Sequence, residues 1–379
     1  MQKNLLEEKF LELRSQRETW KLINGFMKKN NRSTNYCLEV NNQHVLDSKQ
    51  VAGYFDNHFR ESINVLFQGR GNTTPICYSD RVRNNFNFFP IRNAEIISII
   101  RNLKDNNKNK AEIPVKILKL IAPLLAPILS AIFNKCTENS IFPDFLKLGH
   151  IIPIHKKGDK KLVDNYRPIT ILHPLAKIFE KLIYIRLMYF FNKFSIICNE
   201  QYGFRPGRSI QDAALKFQYD AYTANQKDLK LGAIFVDFKK AFDTVNHKIL
   251  LHKLENYGVR GNSLELLESY LSNRGNSVLI NLTFSKESPY NHGVPQGSAL
   301  GPLLFSIFLN DITKIIEHCF ITLYADDILI YTSCSNISNL EHILNIELKN
   351  IFKYSYKNDL FINFDKTKVM LFQKTGEQL

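Results

Sequence analysis

The chain has 379 residues, enough for two or three domains and a sizeable core, and its 44% hydrophobic content excludes wholesale disorder. Its 50 Lys and Arg against 36 Asp and Glu leave a formal charge of +14, which favours a polyanionic partner such as nucleic acid or an anionic membrane surface. The longest uncharged apolar stretch, residues 120–133, is short for a membrane span and carries Pro123 and Pro127, so it reads as a broken core helix. The N-terminus has no apolar signal core, and the six cysteines lie far apart with no Cys-x-x-Cys. The expectation is an intracellular protein, nuclear or cytoplasmic, with reduced core thiols and no zinc site.

In chain order, residues 4–30 read as a helix with Leu5, Phe10, Leu13, Trp20, Ile23 and Phe26 near one face. Asp47-Ser48 starts a second, with Val51, Tyr54, Phe55, His58 and Phe59 on its apolar side. Residues 68–90, rich in Gly, Asn and Pro, form the best linker candidate. Helices are then expected near 92–104, 113–136, 174–193 and 210–226, the last opened by a Ser209/Asp212 capping box. Strands are expected at 150–155, 231–238, 277–281, 320–325 and 328–333. Mixed strands and helices around a central hairpin predict an α+β domain.

Residues 231–238 form an almost continuous apolar strand interrupted at its end by Asp237, where a metal can neutralise a charge that mid-strand burial would penalise. A lone Asp there more often begins a turn. Downstream, two apolar arms flank Tyr324-Ala-Asp-Asp327, and two adjacent carboxylates cost free energy unless a cation sits between them. Phe242 has the bulk to lie under a nucleotide sugar, although core packing is the plainer role, and Asp243 reads as a helix N-cap. The segment Gly293-Val-Pro-Gln-Gly297 brings backbone close to a base or sugar, with Gln296 offering both a donor and an acceptor. Lys156 and Arg167 fall on a basic loop suited to a triphosphate, and Arg205 and Arg208 at a helix start suit phosphates. Lys366 is a candidate proton donor ahead of the strand-like residues 369–372.

Taken in order, Phe235-Val-Asp-Phe-Lys-Lys-Ala-Phe-Asp-Thr-Val-Asn-His247, Gly293-Val-Pro-Gln-Gly-Ser-Ala-Leu-Gly-Pro302 and Tyr324-Ala-Asp-Asp327 closely resemble the reverse transcriptase of LINE-type, non-long-terminal-repeat retrotransposons, the jockey-like and related elements. The basic loop at 155–169 and Gln201-Tyr-Gly-Phe-Arg-Pro-Gly-Arg-Ser209 are similar to its fingers region. The resemblance covers roughly 95–379, and residues 1–70 resemble, more weakly, the extension that precedes the polymerase in these elements, so that 1–94 are expected to be a helical extension and linker.

It implies a right-hand palm and fingers fold and two Mg²⁺ ions, with Mn²⁺ as an alternative, on Asp237, Asp326 and Asp327. It further implies Phe242 as the sugar gate, Gln296 and Gly297 as nucleotide and template contacts, and Lys156 and Arg167 on the triphosphate. Lys366 would assist catalysis, and Arg205, Arg208 and Tyr324 would touch nucleic acid. The implied partners are an RNA template, a DNA primer and dNTPs, with no membrane. Asn109-Lys-Ala-Glu-Ile-Pro114 departs from the family's Lys-Ala-Pro-Gly-x-Asp-x-Ile-Pro. The chain also stops short of the family's helical thumb, with no endonuclease-like domain before it and no zinc knuckle after it. The expectation is therefore a truncated polymerase, with an inactive remnant that only binds nucleic acid as the alternative.

Overall fold

The computed structural model describes residues 36–40, 43–71, 73–104 and 114–373, so the helix expected over 4–30 and most of the 109–114 loop lie outside the described residues. A short hairpin, β1 (Leu38–Val40) and β2 (Gln43–Val45), leads into α1 (Ser48–Phe67). Asp47 starts α1 as expected, accepting a hydrogen bond from the Gln50 amide at 2.9 Å. Helices α2 (Asn93–Asn102), α3 (Val115–Glu138), α4 (Pro174–Lys193) and α5 (Ile210–Gln226) form where the 3.6-residue period of apolar positions predicts them. The Ser209/Asp212 capping box at α5 closes in both directions.

α3 differs from the expected broken core helix. It runs unbroken through Pro123 and Pro127, because each proline forfeits only its own donor while the remaining ladder holds. Leu118, Ala122, Ala126, Leu129 and Phe133 are buried, and α3 packs against α2. Leu120, Leu124, Ile128 and Ile132 lie exposed on its other side. Among the described residues α3 is the one helix long and apolar enough to cross a membrane by length and composition.

Among the described residues the strands form two sheets of four and five, besides the β1/β2 hairpin. β3 (Gly149–His155) pairs antiparallel with β4 (Tyr166–Leu172), setting Ile154 opposite Arg167. β4 covers part of what the sequence presents as a basic loop; it is an edge strand, where Pro168 costs no ladder bond on the open side. β5 (Lys230–Val236) is followed by α6 (His247–Asn256) and α7 (Asn262–Leu271). β6 (Arg274–Ile280) runs parallel to β3 and carries β7 (Thr283–Phe284) and β8 (Ser288–Tyr290) as antiparallel neighbours. α1 covers this sheet, its Val51, Ala52, Phe55 and Phe59 closing a core with Leu38, Ile151, Val278 and Ile280.

The second sheet is wholly antiparallel. After α8 (Gly301–Leu309), β9 (Phe320–Tyr324) and β10 (Asp327–Cys334) make a tight hairpin, and β10 pairs with β5. α9 (Ile337–Lys357) then returns to β11 (Lys368–Phe372), which takes the other edge of β5 and gives the order β11-β5-β10-β9. β5 is thus a central strand, as its apolar run requires.

The main core gathers α4, α6, α7 and α8 against this sheet and encloses buried charged groups. Lys253 donates to Asp311 Oδ1 at 2.7 Å, to the Phe308 carbonyl at 2.7 Å and to the Tyr354 hydroxyl at 3.0 Å. Both the Lys253 and Asp311 side chains are 0% exposed. A second buried cation, Arg186, donates to the carbonyls of Phe89 and Pro90 and to Glu95, tying part of the Asn-rich stretch to α4. Removing one partner of a buried pair strands the other charge. Lys253→Met is therefore expected to cost about 3–5 kcal/mol in denaturant unfolding, with Lys253→Met/Asp311→Leu recovering much of it. A single-variant cost below about 1 kcal/mol would contradict this account of the network.

Candidate active site

The register of the antiparallel sheet places the carboxylates. Ile328 on β10 stands opposite Val236 on β5, so one step further Asp327 faces Asp237. The hairpin turn between β9 and β10 holds Asp326 at the same end. Its first residue, Ala325, adopts φ of 59°, a left-handed conformation costly for a residue with a Cβ. Residues 200–203 buttress that turn. The Tyr202 amide donates to the Leu323 carbonyl at 2.8 Å, and the Leu323 amide donates to the Glu200 carbonyl at 2.9 Å. The buried Gln201 Oε1 accepts from the amides of Ala325 and Gly203 at 3.1 and 2.8 Å. A Cβ at Gly203 would meet the Ala325 nitrogen at 2.2 Å, so only glycine permits this approach.

Asp237 is fixed from the opposite side. The Asn363 amide donates to its carbonyl at 2.8 Å, and Asn363 Nδ2 donates to its Oδ2, also at 2.8 Å. Lys366 Nζ lies 3.4 Å from the same Oδ2. Burial and then the neighbouring Asp237 push the Asp326 carboxyl above its ordinary range, with Arg167 and Lys366 pulling the other way. Burial, Asp326 and Asp237 likewise push Asp327 up. The Lys156 ammonium is pushed down by burial, Arg167, Lys366 and Lys157, and held up by Asp237. Lys156, one residue past β3, and Arg167 on β4 thus interact electrostatically with the carboxylates, as does Lys366.

The donor set suits a hard divalent cation, since carboxylate oxygens kept close against their mutual repulsion gain most from a dication. Among the described residues no group of three or more His, Cys, Asp or Glu is gathered tightly enough to hold an ion by itself. An ion here would complete its shell with water or substrate oxygens, the habit of Mg²⁺.

Beside this cluster, the half-buried Phe242 ring stacks on Phe305 at 4.5 Å and meets Phe204 edge-on at 6.0 Å. A Cβ at Gly297, where φ is 123°, would lie 2.4 Å from the Thr170 carbonyl, so this segment packs backbone to backbone on β4. Gln296 reaches back to Asp243, its Nε2 donating to Oδ2 at 3.1 Å. Asp243 is therefore not the helix cap that its position suggests. Asn246 caps α6, accepting from the Lys248 and Ile249 amides, while Asp243 is buried with its carboxyl pushed up to about 6 by desolvation. Asn246 also favours caps, so the local sequence offered two candidates and only packing separates them.

Arg205 and Arg208 brace the 198–208 loop. Arg205 donates to the Cys198 carbonyl at 2.8 Å, and Arg208 donates to the Asn199 carbonyl and stacks over Tyr202 at 5.1 Å. Tyr324 ends β9 half-buried, paired in the ladder with Asp327. The sequence reading missed Gln201 and Asn363 as side chains that hold the turn and Asp237. The only available signal for Gln201 was its place ahead of Tyr202-Gly203, because its contact with Ala325 spans 124 positions.

Residues 154–379, more than half of the chain, match the model of the family described as reverse transcriptase (RNA-dependent DNA polymerase). The chain is 33% identical over 267 residues to a probable RNA-directed DNA polymerase from transposon BS of Drosophila melanogaster, covering 65% of this chain and 28% of that protein. It is 34% identical over 229 residues to the RNA-directed DNA polymerase from mobile element jockey of Drosophila melanogaster, covering 58% of this chain and 25% of that one. The jockey polymerase of Drosophila funebris is 29% identical over 286 residues, covering 73% of this chain and 31% of its own length. The chain thus spans under a third of the length of these curated relatives. The matched region, which holds Asp237 and the hairpin turn with Asp326 and Asp327, places this chain in the reverse transcriptase family.

Proposed function

We propose that this chain is the RNA-directed DNA polymerase of a non-long-terminal-repeat retrotransposon, extending a DNA 3′ end on an RNA template. The observation that carries the proposal is the meeting of Asp237 with the Ala325–Asp327 turn, with Lys156, Arg167 and Lys366 around it. In this reading 1–94 precede the polymerase as an extension and linker, and 95–379 supply fingers and palm.

Reverse transcriptases use divalent metal ions, and Asp237, Asp326 and Asp327 are the residues proposed to hold two Mg²⁺, or Mn²⁺ in their place. When bound, these ions would supply an activated 3′-oxygen and charge neutralisation at the leaving pyrophosphate. In the step itself the 3′-oxygen forms a bond to the α-phosphorus while the bond to the bridging oxygen breaks and pyrophosphate leaves. Lys156 and Arg167 grip the triphosphate, the guanidinium matching paired oxygens. Lys366 protonates the departing pyrophosphate, a role supported by its position 3.4 Å from Asp237 Oδ2.

Phe242, wedged between Phe204 and Phe305, cannot swing aside without losing both ring contacts, and this supports its role against a 2′-hydroxyl. Gln296 and Gly297 contact the nucleotide and template. Arg205, Arg208 and Tyr324 lie along the nucleic acid, held mainly through its backbone.

Purified protein is expected to extend a DNA-primed RNA template with dNTPs and Mg²⁺, and Asp326→Ala is expected to lower kcat by about 10³ or more. Template binding without extension, identical in Asp326→Ala, would favour the alternative of an inactive nucleic-acid-binding remnant. Phe242→Ala is expected to admit ribonucleotides, lowering the dNTP over rNTP ratio of kcat/KM at least about tenfold. An unchanged ratio would remove Phe242 from the gate.

A further inference from the structure

Asp243 is a buried carboxylate that the reaction above leaves without a task. Its side chain lies in the turn after β5 and the residue is 8% exposed. Lys240 acts on it from the same turn, yet Lys240 Nζ is hydrogen-bonded to Ser62 of α1. The carboxylate instead receives Gln296 Nε2 at 3.1 Å and sits 3.5 Å from the Tyr290 hydroxyl of β8. A cavity of about 290 Å³ opens beside it, and the charged or titratable groups lining that space are Asp56, Arg60, Lys240, Tyr290 and His292.

The backbone around Gln296 is already fixed without Asp243's side chain. The Gly293 amide donates to the Val245 carbonyl at 2.7 Å, and the Val294 amide donates to the Phe242 carbonyl at 2.8 Å. The Thr170 amide donates to the carbonyl of Gln296 itself at 2.8 Å. What those bonds leave open is the orientation of the Gln296 side-chain amide. A terminal amide has two nearly isosteric ends, one donating and one accepting, and an ionised carboxylate only accepts. Asp243 therefore selects the end that faces it, the nitrogen, and leaves the carbonyl oxygen as the free acceptor.

We propose that Asp243 is a positioning residue that locks the Gln296 amide in one orientation, so that Oε1 is the acceptor offered to the incoming nucleotide. This rests on the reading that Gln296 contacts that nucleotide. A neutral partner removes the choice: an Asn can present either end to Gln296, and a protonated carboxyl can donate as well as accept. Burial raises the Asp243 carboxyl to about 6, so the locked state is reached as pH rises through that value.

The test is steady-state dNTP kinetics on a primed RNA template, from about pH 5.5 to 8, for the wild type, Asp243→Asn, Gln296→Ala and the double variant. At neutral pH, Asp243→Asn is expected to raise KM for dNTP about tenfold with a smaller change in kcat. In the Gln296→Ala background it should change KM by less than about twofold, because the amide it orients is gone. The wild-type KM should fall through an inflection near pH 6 that both single variants lose. If Asp243→Asn fails to fold, the presence of that inflection in the wild type and its absence in Gln296→Ala carry the test.

Independent, multiplicative effects of the two substitutions would overturn the proposal. So would an Asp243→Asn enzyme matching the wild type while Gln296→Ala raises KM. If Gln296→Ala leaves KM unchanged in an active enzyme, the fault lies with the assignment of Gln296 to the nucleotide, and the role of Asp243 falls with it.

Discussion

Mutual repulsion among Asp237, Asp326 and Asp327 is the constraint around which the palm is built. Left to themselves, three carboxylates at one end of a sheet would separate into water. They are kept together by a ladder that sets β10 beside β5 and by a turn whose left-handed Ala325 is pinned from outside by the buried Gln201. Gly203 allows that pin to come close, and Asn363 holds Asp237 from the opposite flank. The free energy that opposes the cluster is supplied by packing and hydrogen bonding elsewhere in the domain. A divalent cation would release part of that tension.

The remaining features make sense as the walls of the same space. Arg167 on β4 and Lys156 just past β3 interact electrostatically with the carboxylates, an arrangement that suits the proposed triphosphate. The backbone at Gly297 rests on β4 at Thr170, so the wall that carries Gln296 is coupled to the strand that carries Arg167. α1 covers the outer face of that sheet, and through Lys240 and Ser62 it also touches the turn that carries Asp243. The N-terminal segment within the described residues is thus part of the support for the turn that carries Asp243.

Much of this was legible in the sequence because it is written locally. α4 and α5 begin and end where their periodicity and capping place them, and the apolar arms of the hairpin and of β5 announce buried strands. The motif-bearing residues could be named for the same reason. Where the sequence misled, a distant partner decided the outcome. β4 looks like a loop because it carries Arg167 and Pro168, and only its pairing with β3 makes it a strand. α9 has apolar positions at helical spacing, at Leu340, Leu344, Ile351 and Tyr354, but they are diluted by Asn and Lys on its solvent side. Asp243 and Asn246 are both good cap residues, and burial beside Gln296 assigned the first to another task. Gln201 acts across the chain, so nothing near it in sequence reveals its contact with Ala325.

The central proposal is that the hairpin turn and the end of β5 together hold the two divalent cations, whose shells the nucleotide completes. The most direct measurement is anomalous diffraction from crystals of the protein with Mn²⁺, a primed template ending in a dideoxynucleotide, and a matching dNTP. On this proposal anomalous peaks are expected at Asp237, Asp326 and Asp327, and are expected to be lost in Asp326→Ala. Mn²⁺ bound elsewhere, or a bound dNTP with no ion at these carboxylates, would contradict it.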